Sequence, residues 1–249
     1  MTTTITVPEQ HTLDVYVLRD LSGKIPLGKL QAWAEDINVW AQTVLGAAEP
    51  HGWGLPTAVR VETPDAPFDA LREFAMNLIP GPAPSGELAD HGITVDDLLA
   101  PEGHMYPDGI SDDDLTESLT HEIAEARVDR YLCLSFQSPL GEFWAAEIGD
   151  AVQSTGHRYG PHQTLCANVC WPAWFAPPPS GNGPYDAHSA CTAPFQILST
   201  GYGQKWDPAT FRWVIPAEMM ERVPAHKRGS IMGRLAKRNA RRIAHFSRV

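Results

Sequence analysis

The stretch Thr120-His121-Glu122-Ile123-Ala124-Glu125-Ala126-Arg127-Val128-Asp129 places an imidazole and several carboxylates at helical spacing. At about 100° per residue, with His121 as zero, Glu125 falls near 40°, Asp129 near 80° and Glu122 near 100°. Leu115, Leu119, Ile123 and Ala126 fall at about 120° to 200° on the same wheel. One helix would then carry a core-facing stripe with a His-and-carboxylate stripe directly beside it. A metal site at the edge of a core requires that arrangement.

The chemical logic is that of HExxH, in which two ligands one turn apart hold zinc and the intervening Glu activates a water. Here Glu125 stands in place of the second His, so the motif is HExxE. Zinc accepts carboxylate oxygen, and the added negative charge also opens the site to harder divalent ions. His121 and Glu125 are therefore the candidate metal ligands, and Glu122 is the candidate catalytic base. A third ligand is expected downstream. Glu147 of Glu147-Ile148-Gly149-Asp150 is the first choice, with Asp150 as runner-up. The bland alternative is a helix whose acids face water and whose His caps a hydrogen-bond network.

The elements that must position this helix can be read from pattern. Asp14–Leu18 alternates as a strand does. Leu30, Trp33, Ile37, Trp40 and Val44 then recur at three- and four-residue spacing, predicting a helix of about five turns that starts near Pro26. Gly46 and Pro50 end it. Ala58–Glu62 reads as a second strand, and residues 68–79 fit either a short helix or a strand. Residues 80–86 form a Pro-rich loop, and 86–110 are acidic and turn-rich. Ser111 is a fitting N-cap for a helix to about Arg130, with Asp112, Asp113 and Asp114 matched to its dipole. From 131 to 215 the chain is aromatic and broken by Pro and Gly, with short strands at best. Trp171–Pro179 cannot be helical through its prolines. Asp207-Pro208-Ala209-Thr210 reads as a turn between strands at 202–206 and 211–215, and a last helix spans about Ser230–Phe246. A strand, a long helix and a short strand ahead of the HExxE helix is also the order of zincin-type metallopeptidases.

The 249 residues, 43% hydrophobic, suffice for one large domain with a substantial core. Pro (22) and Gly (20) make the chain loop-rich, while eight Trp and eight Phe argue against disorder. No apolar run approaches the roughly 18 residues of a membrane span, and the first residues lack the pattern of a signal peptide. A protein cytoplasmic as synthesised is expected. No Gly-rich phosphate loop or GxSxG elbow is present.

Charge is unevenly divided. Of 19 Lys and Arg, eight lie in residues 226–249, which hold none of the 30 Asp and Glu. The rest of the chain therefore carries 11 basic against 30 acidic side chains. In the tail, Met232, Leu235, Ala236, Ile243 and Phe246 share one helix face, with Arg234, Lys237, Arg238, Arg241 and Arg242 elsewhere. Such a helix suits nucleic acid phosphates, an anionic membrane surface or an acidic protein groove, including the acidic body itself or a neighbouring copy. Cys133, Cys166, Cys170 and Cys191 lack zinc-ribbon spacing and are expected as reduced, buried thiols. His157 and His162 are secondary metal candidates. Trp171, Trp174 and Phe175 read as core or interface packing, with a substrate wall as the alternative.

His121-Glu122-Ile123-Ala124-Glu125, Asp129 and Glu147-Ile148-Gly149-Asp150 together resemble the HE(L/V)xE…(D/N)P…E(I/V)xD pattern of plant EXORDIUM-like (phosphate-induced) proteins. A similar pattern occurs in a zincin-like HExxE family of actinobacterial and phage proteins. There a later stretch is matched here by Pro172-Ala173-Trp174-Phe175, Gly183-Pro184-Tyr185-Asp186, Pro194-Phe195, Gly201-Tyr202, Trp206-Asp207-Pro208, Thr210 and Trp213. The resemblance covers roughly residues 110–215. It implies a zincin-like α+β fold with a metal site at His121, Glu125 and Glu147. Two features depart from it: Arg130 follows Asp129 where Pro is usual, and Ala151-Val152 stand where a Cys is expected.

The expectation is an α+β, zincin-like domain over residues 1–222 with an HExxE active-site helix, plus a basic helical tail over 223–249. Its function would be that of a metal-dependent hydrolase, a peptidase of phage type, acting on peptide through Glu122, with zinc or another divalent ion bound. The alternative is a phage virion structural protein, minor capsid, decoration or tail-associated, on an inert zincin scaffold. In that case residues 226–249 would dock to neighbouring virion proteins, to a second copy or to nucleic acid.

Overall fold

A computed structural model describes residues 14–48, 52–67, 69, 73–82, 89–93, 101–130, 132–175 and 183–223. From the C-terminal segment it describes 228, 231–233, 235, 236, 238 and 239. Five strands make the main sheet: β1 (Asp14–Asp20), β2 (Thr57–Glu62), β3 (Glu73–Leu78), β4 (Ala89–Ile93) and β5 (Pro101–Met105). Their order is β2-β1-β3-β5-β4, parallel except for β4, which closes one edge antiparallel to β5. In register, Tyr16 lies between Val59 and Phe74, and Leu18 between Val61 and Met76. Tyr16, Val17 and Leu18 are all buried, the continuous apolar run of a strand covered on both faces.

The expected first helix is α1 (Leu27–Trp40), which buries Leu30, Trp33, Ile37 and Trp40. It runs into one π-helical turn over Ala41–Leu45, burying Val44, before Gly46. Asn38 shields the edge of the sheet. Its Oδ1 accepts the Val59 N–H at 2.8 Å and its Nδ2 donates to the Val59 carbonyl at 2.7 Å, so the outermost strand keeps no open pairing groups there. The segment that fitted either class, 68–79, contains the strand β3. The acidic, turn-rich reading of 86–110 is corrected: β5 pairs with β3, and β4 pairs with β5, so both strands form within that stretch.

Next in the chain comes α2 (Asp112–Asp129), which packs against β4 and β5. The short strands that follow are β6 (Ser135–Gln137), β7 (Phe143–Ala145), β8 (His157–Tyr159) and β9 (Thr164–Cys166). Then come α3 (Pro172–Phe175), β10 (Lys205–Asp207), β11 (Arg212–Val214) and α4 (Ala217–Arg222). A second, antiparallel sheet has the order β11-β10-β7-β6, and β8 and β9 form a hairpin. The fold is mixed α+β. A single helical turn, α3, does form in the Pro-rich stretch, with Pro172 first, where no N–H is needed. It packs Trp174 and Phe175 into the core against Trp53, Phe136 and Phe195.

The described residues of 231–239 are helical, as the pattern predicts. Their buried face differs from the expected one. Ile231, Leu235 and Arg238 are buried while Met232 is 51% exposed, so Arg238 belongs to the packed face and Met232 does not. Ile243 and Phe246 lie outside the described residues. A small core of Tyr202, Val223 and Ile231, with Ile215, Met219 and Met220 against it, seats this helix. Asn239 ties it to β11, accepting the Trp213 N–H at 2.8 Å and donating to the Trp213 carbonyl at 3.0 Å. Among the described residues, no helix is long and apolar enough to cross a membrane. All four cysteines are thiols outside any disulfide; Cys166, Cys170 and Cys191 are buried, whereas Cys133 is exposed.

Candidate metal centre

Ser111 starts the site helix as expected, its Oγ accepting the Asp114 N–H at 3.1 Å. The helix is deeply buried from Leu119 to Ala126, polar residues included. It lies between the edge of the main sheet and β9. Thr120 ties it to the far side, its Oγ accepting the Ala167 N–H at 2.8 Å. The result is a His-and-carboxylate turn facing protein rather than water, which overturns the bland reading of solvated acids.

The second half of the site comes from the link between β7 and a 3-10 turn at Asp150–Val152. The Ile148 carbonyl accepts the Cys170 N–H at 2.7 Å, and the Asp150 carbonyl accepts the Tyr202 N–H at 3.1 Å. These bonds hold Glu147 and Asp150 against α2. Gly149 lets the two halves meet: a Cβ there would stand 2.5 Å from His121 Nδ1.

His121 Nε2 lies 3.0 Å from Glu125 Oε1 and 3.3 Å from Asp150 Oδ1. Among the described residues, two groups have ligand atoms within 4.8 Å of one another: His121, Glu122 and Glu125, and Glu125, Glu147 and Asp150. Glu125 is shared, so the groups form one continuous buried cluster that can hold a metal ion. The expected ligands His121 and Glu125 and the expected base Glu122 are brought together. Among acids, Asp150 approaches the His121 nitrogen from the downstream segment. Glu147 faces elsewhere with one oxygen, its Oε1 lying 2.5 Å from Arg238 Nη2. His157 and His162 belong to neither group; His157 stacks on His188 at 3.6 Å, and His162 meets Glu35 at 3.1 Å.

Compared with known proteins, the chain matches no family model, no curated protein and no solved structure.

Five carboxylates, Glu122, Glu125, Asp129, Glu147 and Asp150, are buried beside one imidazole and one guanidinium. Burying unpaired charge is expensive, so such a cluster demands cations or protons. Burial alone would lower the pKa of His121, but the Glu125 charge and the hydrogen bonds that the imidazolium donates to Asp150 and Glu125 outweigh it and hold the imidazole well above its ordinary value. Burial pushes the Glu125 carboxyl up to about 8, against the pull of His121 and with Asp150 and Glu147 adding to the rise. A divalent cation answers the same demand. One nitrogen and several carboxylate oxygens suit it, and that donor set does not single out one metal.

Three participants do not stand out in the sequence. Arg238 pairs with Asp129 Oδ2 at 3.0 Å as well as with Glu147. Gln204 Nε2 approaches the same Glu147 oxygen at 3.4 Å. Gly149 carries no chemistry of its own, and its role shows only in space. Arg238 did have a signal, since it continues the Ile231-Leu235 face at helical spacing. Asp129 holds structure rather than metal: its Oδ1 accepts the Cys133 and Leu134 N–H groups at 2.8 and 3.0 Å.

Proposed function

We propose that this chain is a zincin-like, metal-dependent hydrolase, a peptidase of the phage type, with zinc as its ion. The observation that carries the reading is the turn of α2 on which His121 and Glu125 face each other at 3.0 Å, with Asp150 at 3.3 Å from the same nitrogen. It is supported by the five-stranded mixed sheet and long helix that precede the HExxE helix. His121, Glu125 and Asp150 would hold the ion, with Glu147, the ligand expected from sequence, behind them. When bound, the ion supplies Lewis acidity and makes a water more acidic.

The chain's own residues do the rest. Glu122, buried in the same group as His121 and Glu125, takes the proton of the attacking water and delivers it to the leaving amine. The tight backbone around Gly149 fixes the imidazole plane. Elemental analysis of the purified chain beside His121→Ala tests the reading. One equivalent of divalent ion, lost in the variant, is the expected result. No metal in the wild type after supply of zinc overturns it.

One observation favours a second reading, a virion structural protein on an inert scaffold. The two buried cations, His121 and Arg238, already stand against the acids and offset part of their charge. A metal-free wild type that still folds and assembles with other virion proteins supports that reading.

A further inference from the structure

We propose that Arg238 determines which metal the site accepts, by withholding Glu147 from the ion. This rests on the metal-binding reading above. Glu147 is placed to be a ligand: it offers an oxygen within 4.8 Å of those of Glu125 and Asp150. Arg238 competes for it through one of the two carboxylate oxygens, Oε1. The guanidinium arrives from the C-terminal helix, is 1% exposed, and sets one Nη2 at 2.5 Å from Glu147 Oε1 and 3.0 Å from Asp129 Oδ2. Its Nη1 donates to the Leu134 carbonyl at 3.4 Å, and its Cζ lies 5.3 Å from the centroid of the Trp213 ring. Asn239 and Leu235 on the same helix leave it little freedom to withdraw.

The consequence follows from charge and ligand number. With Glu147 engaged, the inner set is one imidazole and two carboxylates, His121, Glu125 and Asp150. That set balances a divalent ion and leaves a coordination position open, as catalytic zinc sites do. With Glu147 released, a third carboxylate joins. The site becomes anionic, richer in oxygen and better matched to manganese or calcium. Arg238 is thus a positioning residue that acts through Glu147, and it makes the basic tail part of the site.

The test uses the full chain, stripped of metal and dialysed against equal zinc and manganese, with bound metals counted by mass spectrometry. Wild type should take one zinc. Arg238→Met should raise the manganese-to-zinc ratio about 10- to 100-fold, the range for changes behind a metal's direct ligands. The double variant Arg238→Met with Glu147→Gln should return to the wild-type ratio, which a merely structural Arg238 would not produce. If Arg238→Met fails to fold, Glu147→Gln alone decides. It should bind zinc like wild type while Asp150→Asn loses it, and a zinc loss as large as that of Asp150→Asn overturns the proposal. A wild type that binds neither ion overturns the metal-binding reading itself, and this inference falls with it.

Discussion

The imidazole of His121 lies where a side chain at residue 149 would be. A Cβ on Gly149 would stand 2.5 Å from Nδ1 and 2.7 Å from Cε1. The backbone there has φ −88° and ψ −29°, open to any residue, so the glycine serves space and not conformation. Gly149→Ala should therefore push the ring off Glu125 and Asp150. The expected cost is about 1–3 kcal/mol, as for overpacking a core, together with loss of metal binding. Thermal melts with and without zinc check this: the variant should melt lower and gain nothing from the ion.

The proposed ligand and base roles predict different losses. His121→Ala, Glu125→Gln and Asp150→Asn should each remove bound metal. Glu122→Gln should keep it and lower peptide hydrolysis by about 10²- to 10⁴-fold, the usual contribution of a general base. Metal content and turnover measured on the same preparations decide the matter. Full activity in Glu122→Gln would remove Glu122 from the base role.

The cluster also predicts how stability depends on pH. Burial and neighbouring acids raise the Glu125 carboxyl to about 8, and neighbouring carboxylates hold His121 above its ordinary value. Both pKa values are higher folded than unfolded. Their contribution to stability is fully present below the ordinary carboxylate range and is lost as pH rises through the folded values. Without metal, the chain should lose stability from about pH 5 to pH 8, and Glu125→Gln should flatten that slope. Metal should bind more tightly over the same interval, as protons leave its ligands. Urea melts across this interval, with chelator and with zinc, read both effects. A metal-free stability that climbs over the interval would sink the assignment.

Local pattern made the site helix legible: an N-cap, a carboxylate-rich first turn and a His and Glu one turn apart survive intact in α2. The faces of α1 were equally plain, because its apolar spacing alone places Trp33, Ile37 and Trp40 inside. Long-range pairing was not legible. β4 and β5 sit in an acidic stretch whose strand character comes from pairing, β5 with β3 and β4 with β5. The same limit hid Arg238, some ninety residues beyond Glu147, where a basic tail looks solvated until its partners are known. Choosing between Glu147 and Asp150 also needed space, since three residues of spacing do not say which acid faces His121.

That distant pair gives the last prediction. Arg238, Asp129 and Glu147 are buried together, so removing the guanidinium alone strands two carboxylates away from water. Breaking a buried pair this way costs about 3–5 kcal/mol, whereas replacing the whole set with neutral groups of similar shape costs far less. Arg238→Met should thus be strongly destabilised in urea, most severely above neutral pH and less so as the acids protonate. Adding Asp129→Asn and Glu147→Gln to it should recover most of the loss. If the triple variant is as unstable as the single one, Arg238 holds the tail through packing against Trp213 and not through charge.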